Sequence, residues 1–140
     1  MSQENVEIVR RAFAALNRGD RETAAGFADP EIVVDATRRV FNPTTYVGLE
    51  GIRQWASDMD EIWEEFHAEV REFIDAGDRV VVILRLHGKG KVSRVDVEQS
   101  VAGVWTVRNG QVVRIEIGYT DPRQALEAVG LSEQDAHADT

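Results

Sequence analysis

Arg79-Val80-Val81-Val82-Ile83-Leu84-Arg85-Leu86-His87 decides the fold. In an extended chain alternate side chains point to opposite faces, so Val80, Val82, Leu84 and Leu86 share one face while Val81, Ile83, Arg85 and His87 share the other. Both faces are apolar over most of the length, which predicts a central strand covered on each side. Working outward, Ala76-Gly77-Asp78 before it and Gly88-Lys89-Gly90-Lys91 after it are turn signals. The first is too short to hold anything but a hairpin, and the second makes a longer connection. Strands over about His67–Asp75, Asp96–Val107 and Val112–Asp121 complete an antiparallel meander, the last pair joined at Arg108-Asn109-Gly110.

Upstream the period lengthens. Ile52, Trp55, Met59, Ile62, Trp63 and Phe66 step by three or four, with Arg53, Asp58, Asp60, Glu61, Glu64 and Glu65 on the remaining face, which predicts one long amphipathic helix. Val6, Val9, Phe13 and Leu16 mark an earlier helix after Ser2 as N-cap, and Asn17-Arg18-Gly19-Asp20 reads as a stop and a fresh cap for a shorter helix to about Phe27. Asp29-Pro30 breaks that helix, and β-branched Ile32-Val33-Val34 carry the chain into a strand ending near Asp35. Pro122 opens a closing helix that contains Ala125, Leu126 and Val129 and stops at Gly130. Helices, a strand, a helix and a meander give an α+β class in which helices pack on one face of a curved sheet.

No linker divides the 140 residues, so one domain over 1–131 with a frayed tail at 132–140 is expected. The longest apolar run is Val80 to Leu84, too short to span a membrane. Twenty-five acidic against 16 basic residues give a net charge of -9, which repels nucleic acid and anionic lipid. There is no cysteine, hence no disulfide, thiol nucleophile or thiolate metal site. Met1-Ser2-Gln3-Glu4-Asn5 lacks the features of a secretory leader, so a cytoplasmic location is expected.

Asp35 and Asp121 each close an apolar run, suggesting two carboxyls in one cavity, where lost hydration would raise their pKa values toward those useful for proton transfer. Asp121 has a second reading as N-cap of the helix that Pro122 opens, and a cap lowers the pKa instead. Tyr119 alternates with Ile117, Ile115 and Val113, so it reads either as a phenol donor in the cavity or as a core tyrosine. Trp55, Met59, Trp63 and Ile117 are candidate pocket walls, with Arg85 and Gln99 as polar groups on otherwise apolar faces. Arg38, Phe41 and Tyr46 fall in an irregular segment around Asn42-Pro43, where a lid is expected. Glu64 and His67 have one half of a metal-helix spacing without the second acid–histidine pair, so no metal is expected. Gly88-Lys89-Gly90-Lys91 lacks the context of a phosphate loop.

Four stretches carry a family resemblance: Val9 to Asp20, Phe27-Ala28-Asp29-Pro30-Glu31 to Asp35, Tyr46-Val47-Gly48-Leu49-Glu50-Gly51-Ile52, and Val104 to Val112. Together they resemble the nuclear transport factor 2-like superfamily, and within it the SnoaL-like polyketide cyclase and ketosteroid isomerase branch. The resemblance implies a cone, a curved antiparallel sheet wrapped around the N-terminal helices and the long helix, with a one-ended hydrophobic pocket and a homodimer paired through the sheet. It places Asp35 where ketosteroid isomerases carry their general base, and Asp121 where SnoaL-like cyclases keep an acid/base aspartate. The isomerase oxyanion hole uses a tyrosine and a protonated aspartic acid. Those positions fall here on Ala12 or Phe13 and near Gly103, none of which donates a side-chain proton. The implied function is a cofactor-independent isomerase or cyclase acting on a hydrophobic carbonyl compound through Asp35, Asp121 and Tyr119. The alternatives are a non-catalytic ligand-binding or dimerisation module and, third, an epoxide-hydrolase-like site of Asp35, Asp121 and Arg85 or Arg114.

Overall fold

The computed structural model describes residues 2–39, 42–132 and 134. Helix α1 spans Ser2–Asn17 and α2 spans Arg21–Ala25, followed by β1 (Ala28–Ala36), β2 (Thr44–Val47), α3 (Gly48–Ile62), β3 (Trp63–Ala76), β4 (Arg79–Gly90), β5 (Asp96–Arg108), β6 (Gln111–Tyr119) and α4 (Pro122–Ala128). The strands form one curved, unclosed sheet in the order β2-β1-β6-β5-β4-β3. All neighbours run antiparallel except β1 and β6, which are parallel.

Several boundaries follow the chemistry foreseen. Asp20 caps α2 by accepting from the Thr23 amide, and Pro122 sits in the first turn of α4. Ser2 opens α1, but its capping role concerns a side chain outside the described residues, as do Phe41 and most of the tail.

Three boundaries differ. The long helix stops at Ile62, and Trp63 and Phe66, expected on it, lie instead on β3. Their spacing fits a helix, yet aromatic side chains suit a pleated strand equally well. Pairing of Trp63 with Gly90 and of Phe66 with Gly88 settles the choice, because the Trp63 ring rests where a side chain on Gly88 would otherwise lie, 2.7 Å from an added Cβ. Strand β4 continues to Gly90, so the hairpin tip moves to residues 91–95. Finally, the segment before α3 contains the four-residue β2, too short for alternation to reveal.

The sheet register sorts side chains into an inner and an outer face. The inner face carries Ile32, Val34, Ala36, Tyr46, Val80, Val82, Leu84, Trp105, Val107, Val112 and Ile115, packed against Val9, Ala12 and Phe13 of α1 and Ile52 and Trp55 of α3. Trp105 sits 4.8 Å from Phe13, ring centre to ring centre. The outer face carries Ile74, Val81, Ala102, Val104 and Tyr119 under Ala125 and Leu126 of α4 and Val129 at its end. Burying large apolar side chains on both faces stabilises each by roughly 1.5–3 kcal/mol.

Candidate functional site

Asp35 pairs in parallel with Glu116, and Val33 with Arg114, so these four side chains point to the outer face while Val34 and Ile115 point inward. Period two would have kept Tyr119 with Ile115 and Ile117. Between Val104–Glu116 and Ala102–Tyr119, however, β6 holds one residue more than β5, and this bulge turns Tyr119 outward. Gly118 makes it possible with φ +94° and a close approach to Arg38.

The bulge therefore brings Asp35 and Tyr119 to one place on the outer face, with Arg38 between them. The Asp35 side chain is only 14% exposed, and its two oxygens are fully engaged. Oδ1 accepts from the Thr37 amide at 3.0 Å and its hydroxyl at 2.5 Å, while Oδ2 faces Arg114 at 3.2 Å and Arg38 at 3.3 Å. Burial pushes this carboxyl up, but the Thr37 hydrogen bonds and Arg38 outweigh it and hold the pKa below the ordinary value. Arg38 lies 4.3 Å from the centre of the Tyr119 ring and reaches Glu116 at 3.8 Å. Burial first, then Glu116, pushes the Tyr119 phenol up.

Asp121 does not join them. It is the N-cap of α4, accepting from the Arg123 amide at 3.0 Å and pairing with the Arg123 guanidinium at 2.9 Å, and these bonds hold its pKa down. The Asp35 pKa, expected to be raised, is lowered because hydrogen bonds to the charged form outweigh burial, and that of Asp121 is lowered as its reading as an N-cap implies. Arg85 also lies on the outer face, held by Ser100 at 3.1 Å and Glu98 at 3.5 Å. His87, its neighbour on that face, bridges Glu69 at 3.1 Å and Glu98 at 2.8 Å.

The remaining candidates lie on the inner side. Trp55 packs with the inner core and Ile117 does likewise, Met59 is half-buried on α3, and Gln99 pairs with Leu86 at the exposed end of β5. Trp63 meets Phe66 at the same end, 5.9 Å between ring centres. Tyr46 is 3% exposed beneath α3, where its ring stacks on Trp55 at 6.4 Å and 24°. Its hydroxyl donates to Asp58 at 2.5 Å and accepts from Arg39 at 2.8 Å, while Gln54 donates to the other Asp58 oxygen at 2.7 Å. Burial and then Asp58 push the Tyr46 phenol up, and the same bond from Tyr46, followed by that from Gln54, pulls Asp58 down. An open hollow of about 550 Å³ runs beside this network between β2 and α3, lined in part by Thr44, Tyr46, Glu50, Gln54 and Asp58.

Sequence reasoning missed Arg39, Gln54 and Asp58. Asp58 reads as one more acid on a solvated helix face, and only its i, i+4 relation to Gln54 hints at a pair. Among the described residues no group of His, Asp and Glu could hold a metal ion, and no helix is long and apolar enough to cross a membrane.

Solved structures with the same fold are numerous. An NTF2-like protein from Burkholderia xenovorans is 27% identical, with 92% of this chain and 97% of that one covered at a TM-score of 0.74. TerC, crystallised with polyporic acid, is 22% identical over 90% of this chain and 98% of its own, at a TM-score of 0.73. A candidate polyketide cyclase from Sinorhizobium meliloti is 24% identical over 79% and 93%, at a TM-score of 0.63. No curated protein matches significantly. Residues 9–115 match the SnoaL-like domain, and with its curved sheet around α1 and α3 the chain belongs to that family within the nuclear transport factor 2-like superfamily.

Proposed function

We propose that this protein binds a small hydrophobic molecule between α3 and the inner face of the sheet, near Tyr46, Trp55, Met59 and Ile117, and does not turn it over through Asp35 and Asp121. One observation carries the reading: Asp35 is saturated by Thr37, Arg38 and Arg114 on the opposite face from Tyr46 and Trp55. A carboxylate with a lowered pKa is a weak base, and its hydrogen bonds would have to break before it took a proton. The ligand class agrees with polyporic acid in TerC and with the name of the Sinorhizobium protein. Chemistry of this kind needs no cofactor, and the partner expected in solution is a second copy paired through the sheet.

A thermal-shift screen with terpenoid, steroid and aromatic polyketide libraries tests the reading. A ligand at 100 times its dissociation constant stabilises by about 2.7 kcal/mol, and silence across all three libraries would sink it.

The second reading is acid–base turnover of a carbonyl compound, with Asp35 as base and Tyr119 as acid. In its favour, both side chains converge on Arg38. It requires an Asp35 pKa above the ordinary carboxylate value, which a carboxyl-detected NMR titration reads directly. The third, epoxide-hydrolase-like reading has Arg114 beside Asp35 but Asp121 turned to its cap.

A further inference from the structure

Strand β2 closes one border of the sheet: it pairs with β1 and, among the described residues, has no neighbour on its other side. In an antiparallel pair every second residue turns its N–H and C=O away from the partner, so this margin presents backbone donors and acceptors outward. The hollow of about 550 Å³ follows the margin. Its lining takes in residues 44–47 without a gap, although Thr44 and Tyr46 point to one face of the sheet and Thr45 and Val47 to the other. A cavity above one face would be lined by alternate residues only, so this one lies along the edge.

Helix α3 supplies the second wall. It runs back beside the strand it follows: Gly51 lies so close to Tyr46 that an added Cβ would be 2.8 Å from its backbone, and Asn42 reaches Asp58 at 3.5 Å. Glu50, Gln54 and Asp58, spaced by four on that helix, line the groove. A free strand margin facing a helix across a groove suits an extended peptide, which adds as a further strand with main-chain bonds for affinity and side-chain contacts for selection.

Charge selects the partner. Glu50 and Asp58 line the groove, and among the described residues no basic side chain does. Glu50 pairs with Arg53 at the surface, a contact that a cation from outside can replace at little cost. Asp58 accepts from Tyr46 and Gln54, and these bonds favour its anion. Arg39 is held by the Tyr46 hydroxyl and the Asn42 carbonyl. An acidic segment would meet carboxylates without a cation to offset them, and a second copy would bring another Glu50 and Asp58.

Spacing sets the pattern. From Glu50 to Asp58 the helix rises about 12 Å, and four steps of an extended chain span about 13 Å. We propose that the groove between β2 and α3 binds an extended peptide as an additional strand, with Lys or Arg at positions i and i+4 set against Glu50 and Asp58. The residue midway between them meets Gln54, and the other two lie on the outer face beside the exposed Thr45 and Val47. This activity is separate from the small-molecule binding proposed above and stands or falls without it.

The test titrates the full-length ¹⁵N-labelled chain with a blocked peptide, acetyl-Lys-Val-Thr-Val-Lys-amide. The backbone amides of Thr44, Thr45, Tyr46 and Val47 should shift saturably. Glutamate in place of both lysines should weaken binding at least tenfold, and Glu50→Gln and Asp58→Asn should each weaken it at least threefold. Strand pairing uses alternate N–H groups, so N-methylation of the two valines and N-methylation of the other three residues should differ, one set abolishing binding and the other leaving it within threefold. Equal binding of the glutamate peptide overturns the basic class, and equal binding of both N-methylated peptides overturns strand addition. Shifts in β2 that grow with protein concentration alone assign the margin to a second copy and overturn the peptide reading. No shift in β2 with peptide overturns the docking site, whatever the small-molecule screen returns.

Discussion

The outer face at Asp35 and the inner face at Tyr46 each hold polar groups out of water, but they settle them differently. Around Asp35 both oxygens are supplied, by Thr37 on one side and by Arg38 and Arg114 on the other. Around Tyr46 the hydroxyl is satisfied, while the Trp55 and Arg39 nitrogens Nε1 and Nε find no partner among the described residues. A saturated cluster has little to offer an incoming molecule and much to offer the fold. An unsaturated one has the reverse balance. The residue that looked catalytic by position is thus the better structural anchor, and a tyrosine that looked like a lid residue lies where binding is proposed.

The contrast can be broken most forcefully at the inner core. Trp105→Ala empties the space against Phe13 and should cost about 3–5 kcal/mol by urea unfolding. A loss below about 1 kcal/mol would mean that the inner face is not where the fold is held. Gly118→Val comes next, since it forces a branched side chain into a φ of +94° against Arg38, at a cost of about 1–3 kcal/mol. Its thermal melt should fall together with loss of the Tyr119–Arg38 contact, and an unaltered Tyr119 ring shift would separate the bulge from the outer cluster.

Asp35→Asn sharpens the comparison through pH. The folded-state pKa is below the unfolded value, so the ionised side chain stabilises fully above about pH 4 and loses that contribution as the pH falls through the folded value. At pH 7 the variant should be less stable by about 1–2 kcal/mol, and the gap to wild type should close in acid. A gap that widens in acid would mean that the carboxyl is held protonated after all. Tyr46→Phe should cost about 0.5–1.5 kcal/mol and let the Asp58 pKa rise toward its ordinary value, because the phenol is the first of the groups that lower it. An Asp58 titration curve that does not move would show that the 2.5 Å contact is not made in solution. Asp121→Ala should have the smallest effect, confined to amide exchange in the first turn of α4.

Much of the architecture was readable because β4 follows period two after the turn at Gly77-Asp78, although it runs on to Gly90 past the expected tip, and because Pro122, Gly19 and Asp20 punctuate the helices. The end of α3 was not, since Trp63 and Phe66 fit either period and only their partners across β4 decide. Asp35 was found by its position at a strand end, but Ile32-Val33-Val34 is apolar on both sides, so alternation alone does not say which face turns inward. The outward turn of Tyr119 had a visible sign in Gly118, an isolated glycine inside a strand pattern, which marks a bulge. Trp55 packs against the inner core, yet the unsatisfied state of its nitrogen depends on how the side chains around it are arranged in space, and no local pattern encodes that.

Sheet order leaves β3, fourteen residues long, as a border strand with no further neighbour among the described residues. Such a margin invites other chains to add on by backbone pairing. Glu64, Glu65, Glu69, Glu72 and Asp75 distribute acid along it, against Arg71 as its one guanidinium, so two margins brought together would place like charges in register. The negative balance of the chain thereby acquires a local purpose: it discourages runaway stacking at the rim of the cone, where length alone would otherwise favour it.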